Sequence, residues 1–86
     1  MKVLDDILKE ILNNENKRMV SIKRYQDLVF NSESIFFNSS EEEEIYRTLA
    51  YDLDFYEPDE SLRKEDPSYY GDEKLKIEIN QVLERF

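Results

Sequence analysis

The chain lacks both cysteine and histidine, and it contains one glycine and two prolines. Without cysteine it has no disulfide, no thiolate zinc site and no cysteine nucleophile. Without histidine, the most common general base and metal ligand are also missing. A single glycine excludes the glycine-rich loops that bind phosphates and dinucleotides. These absences argue against an enzyme, and we expect neither a cofactor nor a metal site.

Long apolar runs are missing as well. No run approaches the roughly 20 residues that a membrane-spanning helix needs. The first dozen residues carry Asp5, Asp6, Lys9 and Glu10, so we expect no secretory signal. The sequence therefore predicts a cytoplasmic protein without a membrane partner. Its 86 residues suffice for one domain, residues 1–86, with a small core.

Negative charge is concentrated in the second half of the chain. Residues 1–39 hold six acids and six bases, whereas residues 40–86 hold fifteen acids and six bases, which accounts for the whole net charge of −9. Such a surface repels nucleic acid, whose phosphates require a basic patch. It favours a basic partner instead, although acidity that serves only solubility remains an alternative.

Four segments carry apolar residues at helical spacing. The first two are residues 2–12 and 21–30. Ser21 is a candidate N-cap of the second, with an earlier start at Met19 or Val20 as the alternative. The third begins at the capping pairs Ser39 with Glu42 and Ser40 with Glu43, and Pro58 ends it near residue 55 or 56. The fourth follows Asp72 as its cap. We predict an all-α fold, a small antiparallel four-helix bundle.

The fourth segment also alternates apolar and charged residues from Lys74 to Ile79, which is a strand pattern. We favour a helix, because Leu75, Ile79, Val82 and Leu83 share one helical face. The connection before it, Glu57 to Gly71, is a long acidic loop. At 15 residues it exceeds the usual length between bundle helices, and long loops are often functional.

Asp52 and Asp54 precede this loop at the predicted end of the third helix, where the helix dipole disfavours acids. The sequence from Asp52 does not match a calcium-binding loop. Its sixth position is Glu57 rather than glycine, and its twelfth is Arg63 rather than glutamate. Tyr56, Tyr69 and Tyr70 lie in or beside the loop. Exposed tyrosines are favoured contact residues, but packing of these rings onto the core remains open.

The second half of the chain resembles the colicin D immunity protein family. The resemblance covers about residues 49–86. It rests on Tyr56-Glu57-Pro58-Asp59, Tyr70, Asp72, Leu75-Lys76-Ile77-Glu78-Ile79 and Leu83-Glu84-Arg85-Phe86. Relative to the colicin D protein, residues 63–68 look like an extension of the loop.

The resemblance implies a four-helix immunity protein, monomeric before it binds. Its partner would be the basic C-terminal nuclease domain of a bacteriocin or contact-dependent inhibition toxin, typically one that cleaves transfer RNA. Its acids would replace substrate phosphates, and its tyrosines would exclude water. An acidic adaptor without a toxin partner is the alternative. The residues that we expect to contact the toxin are Asp52, Asp54, Tyr56, Glu57, Asp59, Glu60, Asp66, Tyr69, Tyr70, Asp72 and Glu73.

Overall fold

The computed structural model describes residues 2–31 and 35–85. These residues are mostly helical and contain no strand, so the predicted all-α class is confirmed. Short 3₁₀ turns at Glu15–Lys17 and Leu53–Phe55 join some of the helices. The α-helices are α1 (Lys2–Asn13), α2 (Arg18–Asn31), α3 (Ser40–Asp52), α4 (Glu60–Arg63) and α5 (Asp72–Arg85).

Helix α1 buries Leu4, Ile7, Leu8 and Ile11, the stripe that its spacing predicts. Helix α2 starts at Arg18, three residues before the predicted start. The Asn14 side chain accepts the Lys17 N–H and closes the connecting 3₁₀ turn. Ser21 is therefore a buried residue inside α2, and its assignment as the N-cap is wrong.

Helix α3 begins as its capping signal predicts. The Ser39 hydroxyl accepts the Glu42 N–H at 3.1 Å, whereas Glu43 pairs with Arg47 one turn later. Glu42 is buried at 5% exposure. Its Oε2 accepts a 3.4 Å bond from Asn38, and its Oε1 has no hydrogen-bond partner among the described residues. This buried carboxylate benefits from the positive end of the helix dipole.

Helix α5 resolves the ambiguous fourth segment in favour of a helix. Leu75, Ile79 and Val82 are buried, and the Gly71 carbonyl accepts the Leu75 N–H as the helix begins. Asp72 is the first residue of α5, and its carboxylate accepts bonds from Arg18 and Tyr56. The Asp72 side chain thus bonds to residues of other elements. The expectation that Asp72 is the N-cap of α5 is wrong.

Two buried tyrosines connect α1, α2 and α3. The Tyr25 hydroxyl donates to the Tyr46 carbonyl at 2.8 Å, and the Tyr46 hydroxyl donates to Asp5 at 2.7 Å. Both residues are fully buried. Burial raises the pKa of Tyr25 and of Tyr46, and the negative charge of Asp5 raises each further. These hydroxyls therefore act as neutral donors inside the core.

Arg18 is the buried cation of the core, at 5% exposure. Its Nε donates to the Ile11 carbonyl at 2.8 Å, and its Nη2 donates to the Leu12 carbonyl at 3.3 Å. Its Nη1 lies 3.3 Å from Asp72. One guanidinium thus satisfies carbonyls at the end of α1 and contacts the first residue of α5.

The carbonyl bonds of Arg18 should matter more than its ion pair. We expect Arg18→Met to lower the free energy of unfolding by about 2–3 kcal/mol, because two carbonyls lose their donor. Asp72→Asn should cost about 1 kcal/mol or less, because the Asp72 side chain is 49% exposed and the asparagine oxygen can still accept bonds from Arg18 and Tyr56. Urea unfolding of both variants measures this. Equal losses would contradict it.

Stability should fall in alkali. The pKa values of Tyr25, Tyr46, Tyr56 and Tyr70 are all raised, with burial as the largest cause. The unfolded chain releases these protons near pH 10, whereas the folded chain retains them. Their contribution is therefore complete below about pH 10 and is lost as the pH rises through the raised values. Urea unfolding and phenolate absorbance from about pH 8 to 12 test this. A flat profile would contradict it.

Candidate functional site

The long acidic loop, residues 57–71, is closed by backbone hydrogen bonds between its two ends. The Tyr70 N–H donates to the Phe55 carbonyl at 3.0 Å, and the Glu57 N–H donates to the Tyr70 carbonyl at 2.9 Å. Tyr56 and Tyr70 thereby form an isolated parallel bridge. The loop is thus a compact, Ω-like excursion with fixed ends.

The interior of the loop is ordered by its own side chains. Asp59 caps α4 by accepting the Ser61 N–H at 2.8 Å. Arg63 donates to the Glu57 carbonyl at 2.7 Å and packs on Gly71, where an added Cβ would lie 2.8 Å from its guanidinium. Asp66 then accepts the Ser68 N–H at 2.8 Å in a turn that follows α4. These bonds fix the backbone that carries the acids.

Two of the three predicted aromatic contacts face inward. Tyr56 is 6% exposed and Tyr70 is 8% exposed. The Tyr56 hydroxyl donates to Asp72 at 2.5 Å, and the Tyr70 hydroxyl donates to the Asp52 carbonyl at 2.8 Å. The sequence left open whether these rings pack onto the core, and the structure shows that Tyr56 and Tyr70 do so, with both hydroxyls bonded to protein acceptors. Tyr69 is half-buried.

The acidic end of α3 is stabilised by neutral donors. Gln26 donates to the Ala50 carbonyl at 3.0 Å and to Asp54 at 2.8 Å, while Tyr70 satisfies the Asp52 carbonyl. Neither Asp52 nor Asp54 has an ion pair within residues 2–31 and 35–85. The unfavourable position of these acids near a helix C-terminus is therefore not offset by a cation in contact with them.

Most of the acids predicted to contact the toxin form no ion pair with a described residue. Asp72 pairs with Arg18, and Arg47 and Arg85 pair with Glu43 and Glu41 outside the predicted site. The predicted acids without an ion pair among the described residues are Asp52, Asp54, Glu57, Asp59, Glu60, Asp66 and Glu73. Their charges therefore remain available to a partner.

The structure places some of these residues at two neighbouring hollows. The first hollow has a volume of about 300 Å³ and is lined by Asp52, Phe55, Ser68, Tyr70, Lys74 and Glu78. The second has a volume of about 480 Å³ and is lined by Pro58, Arg63, Gly71, Asp72, Glu73 and Lys74. Lys74 separates them and lies 5.3 Å from the centre of the Tyr70 ring. Asp54, Glu57, Asp59, Glu60, Asp66 and Tyr69 line neither hollow.

A groove between α3 and α5 continues from the first hollow and was not predicted from the sequence. It has a volume of about 390 Å³ and includes Asp52 and Glu78. Polar residues at helical spacing could have revealed it. They are Glu41, Glu44, Thr48 and Asp52 on α3, with Glu78, Gln81 and Arg85 on α5. Glu78 is thus an acid of the site that sequence reasoning missed.

Two exposed aromatic rings at the end of α3 were also missed. Tyr51 is 62% exposed and Phe55 is 42% exposed, and the two flank Asp52 and Asp54 in sequence. The Tyr51 ring rests on Phe30, with 4.8 Å between the centroids. The sequence signal was available, because Tyr51 and Phe55 lie four residues apart and away from the buried stripe.

The chemistry of these surfaces is that of carboxylates, aromatic rings and a few bases. Ion pairing with basic groups is what such a set does best. Among the described residues, no group of three or more acids is arranged to hold a metal ion. No described helix is long and apolar enough to cross a membrane. Comparisons with protein-family models, curated proteins and solved structures found no match to the chain.

The buried position of Tyr70 predicts a structural role. We expect Tyr70→Phe to lower the free energy of unfolding by about 1 kcal/mol, because only the bond to the Asp52 carbonyl is lost. The loop should also exchange its amide hydrogens faster. Urea unfolding and hydrogen exchange measure both effects. Tyr69→Phe is the matched control, and equal losses in the two variants would contradict the assignment.

Proposed function

We propose that this protein is an immunity protein that binds and neutralises the basic nuclease domain of a bacterial toxin. The observation that carries the proposal is the set of seven unpaired acids at the end of α3, in the loop and at the start of α5. The resemblance of residues 49–86 to the colicin D immunity family supports it. A nuclease that cleaves transfer RNA needs a basic cleft, which such a surface complements.

The acids would replace the substrate phosphates in that cleft. Carboxylates that pair with lysine and arginine of the toxin in a desolvated interface form strong, charge-assisted hydrogen bonds. The ordered backbone of the loop favours this role, because little conformational entropy is then lost on binding. The acids would thereby cover the surface that the nuclease offers to RNA.

The aromatic contacts in this proposal differ from the expected ones. Tyr51 and Phe55 are exposed beside Asp52 and Asp54, and Tyr69 is half-buried. We assign water exclusion to these three rings, since large aromatic side chains are enriched among the residues that dominate binding energy. Tyr56 and Tyr70 would instead fix the backbone at the two ends of the loop through their buried side chains.

We also propose that the fold is an antiparallel four-helix bundle with α4 in a loop. The bundle helices would be α1, α2, α3 and α5, which have 12 to 14 residues each. We also propose that the unbound protein is a monomer in the cytoplasm. There it would bind the toxin before the toxin is released. An acidic adaptor remains the second candidate.

The adjacent reading frame should encode a toxin with a basic C-terminal nuclease domain, and co-expression with that domain tests the function. The wild type should co-purify with that domain and protect the cell. The combination Asp54→Asn, Glu57→Gln and Asp59→Asn should weaken binding by more than about 30-fold, because it removes three charges from the proposed interface. Asparagine retains the capping role of Asp59, so the loop should stay folded.

The matched control removes three exposed acids elsewhere. Asp6→Asn, Glu15→Gln and Glu84→Gln change the net charge equally and should preserve protection. The glutamates of α3 are unsuitable as controls, because Glu42 is buried and Glu41 and Glu44 line the α3–α5 groove. Equal losses in the two triple variants would contradict the site. Absence of any complex with the nuclease domain would contradict the function and favour the adaptor.

A further inference from the structure

A second surface of different character lies between α1 and α2. Three exposed apolar side chains meet there, namely Val3 at 44%, Met19 at 54% and Val20 at 70% exposure. They line an open groove of about 890 Å³. The other lining residues are Lys23, Arg24, Asp27, Leu28 and Asn31. No lining residue is shared with the acidic hollows or with the α3–α5 groove.

The fold does not explain the apolar residues of this groove. Helix α2 packs into the core through Ile22, Tyr25 and Val29. Met19 and Val20 lie outside that buried face, and β-branched valine is no better a helix former than polar residues such as lysine or glutamine. Contiguous exposed apolar side chains with a polar rim mark interaction surfaces more often than single exposed residues do.

The charge of the groove is opposite to that of the rest of the protein. Its rim holds two exposed bases, Lys23 and Arg24, and one exposed acid, Asp27. Within residues 2–31 and 35–85, neither base takes part in an ion pair or hydrogen bond through its side chain. A positive rim around an apolar floor therefore occurs on a chain with a net charge of −9.

We propose that the groove between α1 and α2 docks an amphipathic helix of a partner protein, with the apolar stripe of that helix on Val3, Met19 and Val20 and its acidic flank on Lys23 and Arg24. Helix-in-groove recognition uses apolar residues spaced three and four apart. The groove extends along α2 from Met19 to the last residue of that helix, and α1 contributes Val3. The paired bases supply orientation, and the apolar floor supplies affinity.

Charge favours this occupant over two others. A second copy that docked through the same groove would bring two net-positive rims together, which electrostatics disfavours. An anionic membrane would also attract bases beside apolar groups. Such a membrane would, however, repel the protein as a whole, whose net charge is −9.

The surface is independent of the proposed toxin site, so each can fail without the other. The probes are two helical peptides of about 14 residues, roughly four turns, with leucine at every third or fourth position. One carries glutamate on both flanks, and the other carries lysine. Amide chemical shifts of the wild type should change along α1 and α2 with the glutamate peptide, and affinity for the lysine peptide should be at least about tenfold weaker.

Two variants and one control sharpen this test. Val20→Asp should weaken binding of the glutamate peptide more than about tenfold. Lys23→Glu with Arg24→Glu should reverse the preference between the peptides. Ile77→Asp makes the same type of change at a residue of α5 that is 57% exposed, and it should preserve binding. Circular dichroism checks that each variant remains folded.

Four results would overturn the proposal. The first is no shift change along α1 and α2 with either peptide at about 1 mM, and the second is equal binding of the two peptides. The third is a dimer of the wild type in sedimentation that Val20→Asp abolishes, which would assign the groove to a second copy. The fourth is binding to phosphatidylserine vesicles that Val20→Asp abolishes, which would assign it to a membrane.

Discussion

Burial of the Arg18 guanidinium is the constraint on which the arrangement of this protein depends. A buried cation is stable only if its donors are satisfied, and Arg18 reaches the carbonyls of Ile11 and Leu12 and the carboxylate of Asp72. Asp72 in turn accepts the Tyr56 hydroxyl. The residues on either side of the acidic loop are thus fixed relative to the first two helices, so the acids of the loop project from a defined backbone.

Periodicity predicts the helices well, because it is local, and the α1 stripe matches the structure. Of the predicted caps, Ser39 matches the structure, whereas Ser21 and Asp72 do not. Burial of charged residues is not local. Arg18 and Glu42 lie in segments that read as ordinary polar helix starts, and only tertiary packing places them inside. The early start of α2 follows from the same cause, since Arg18 must lie close to the end of α1.

The negative charge of the site can be predicted from the sequence, but the orientation of the aromatic side chains in its loop cannot. The excess of acids identifies the loop, and helical spacing separates Tyr51 and Phe55 from the buried stripe of α3, yet nothing in the loop sequence shows that Tyr70 turns inward. Within the described part of the chain, seven acids without ion pairs lie around the loop, and two bases without ion pairs flank the apolar groove between α1 and α2. The groove shares no lining residue with the hollows at the loop, so the two proposed partners would not compete for one surface.

The most direct test of the central claim is hydrogen exchange of this protein with and without the toxin nuclease domain proposed as its partner. The account predicts that protection on binding is concentrated at residues 51–60 and 66–74. Exchange along α2 should be unchanged, because its groove is separate from the acidic site. Protection confined to α1 and α2, with no change in the loop, would contradict the claim that the acids around the loop bind the toxin.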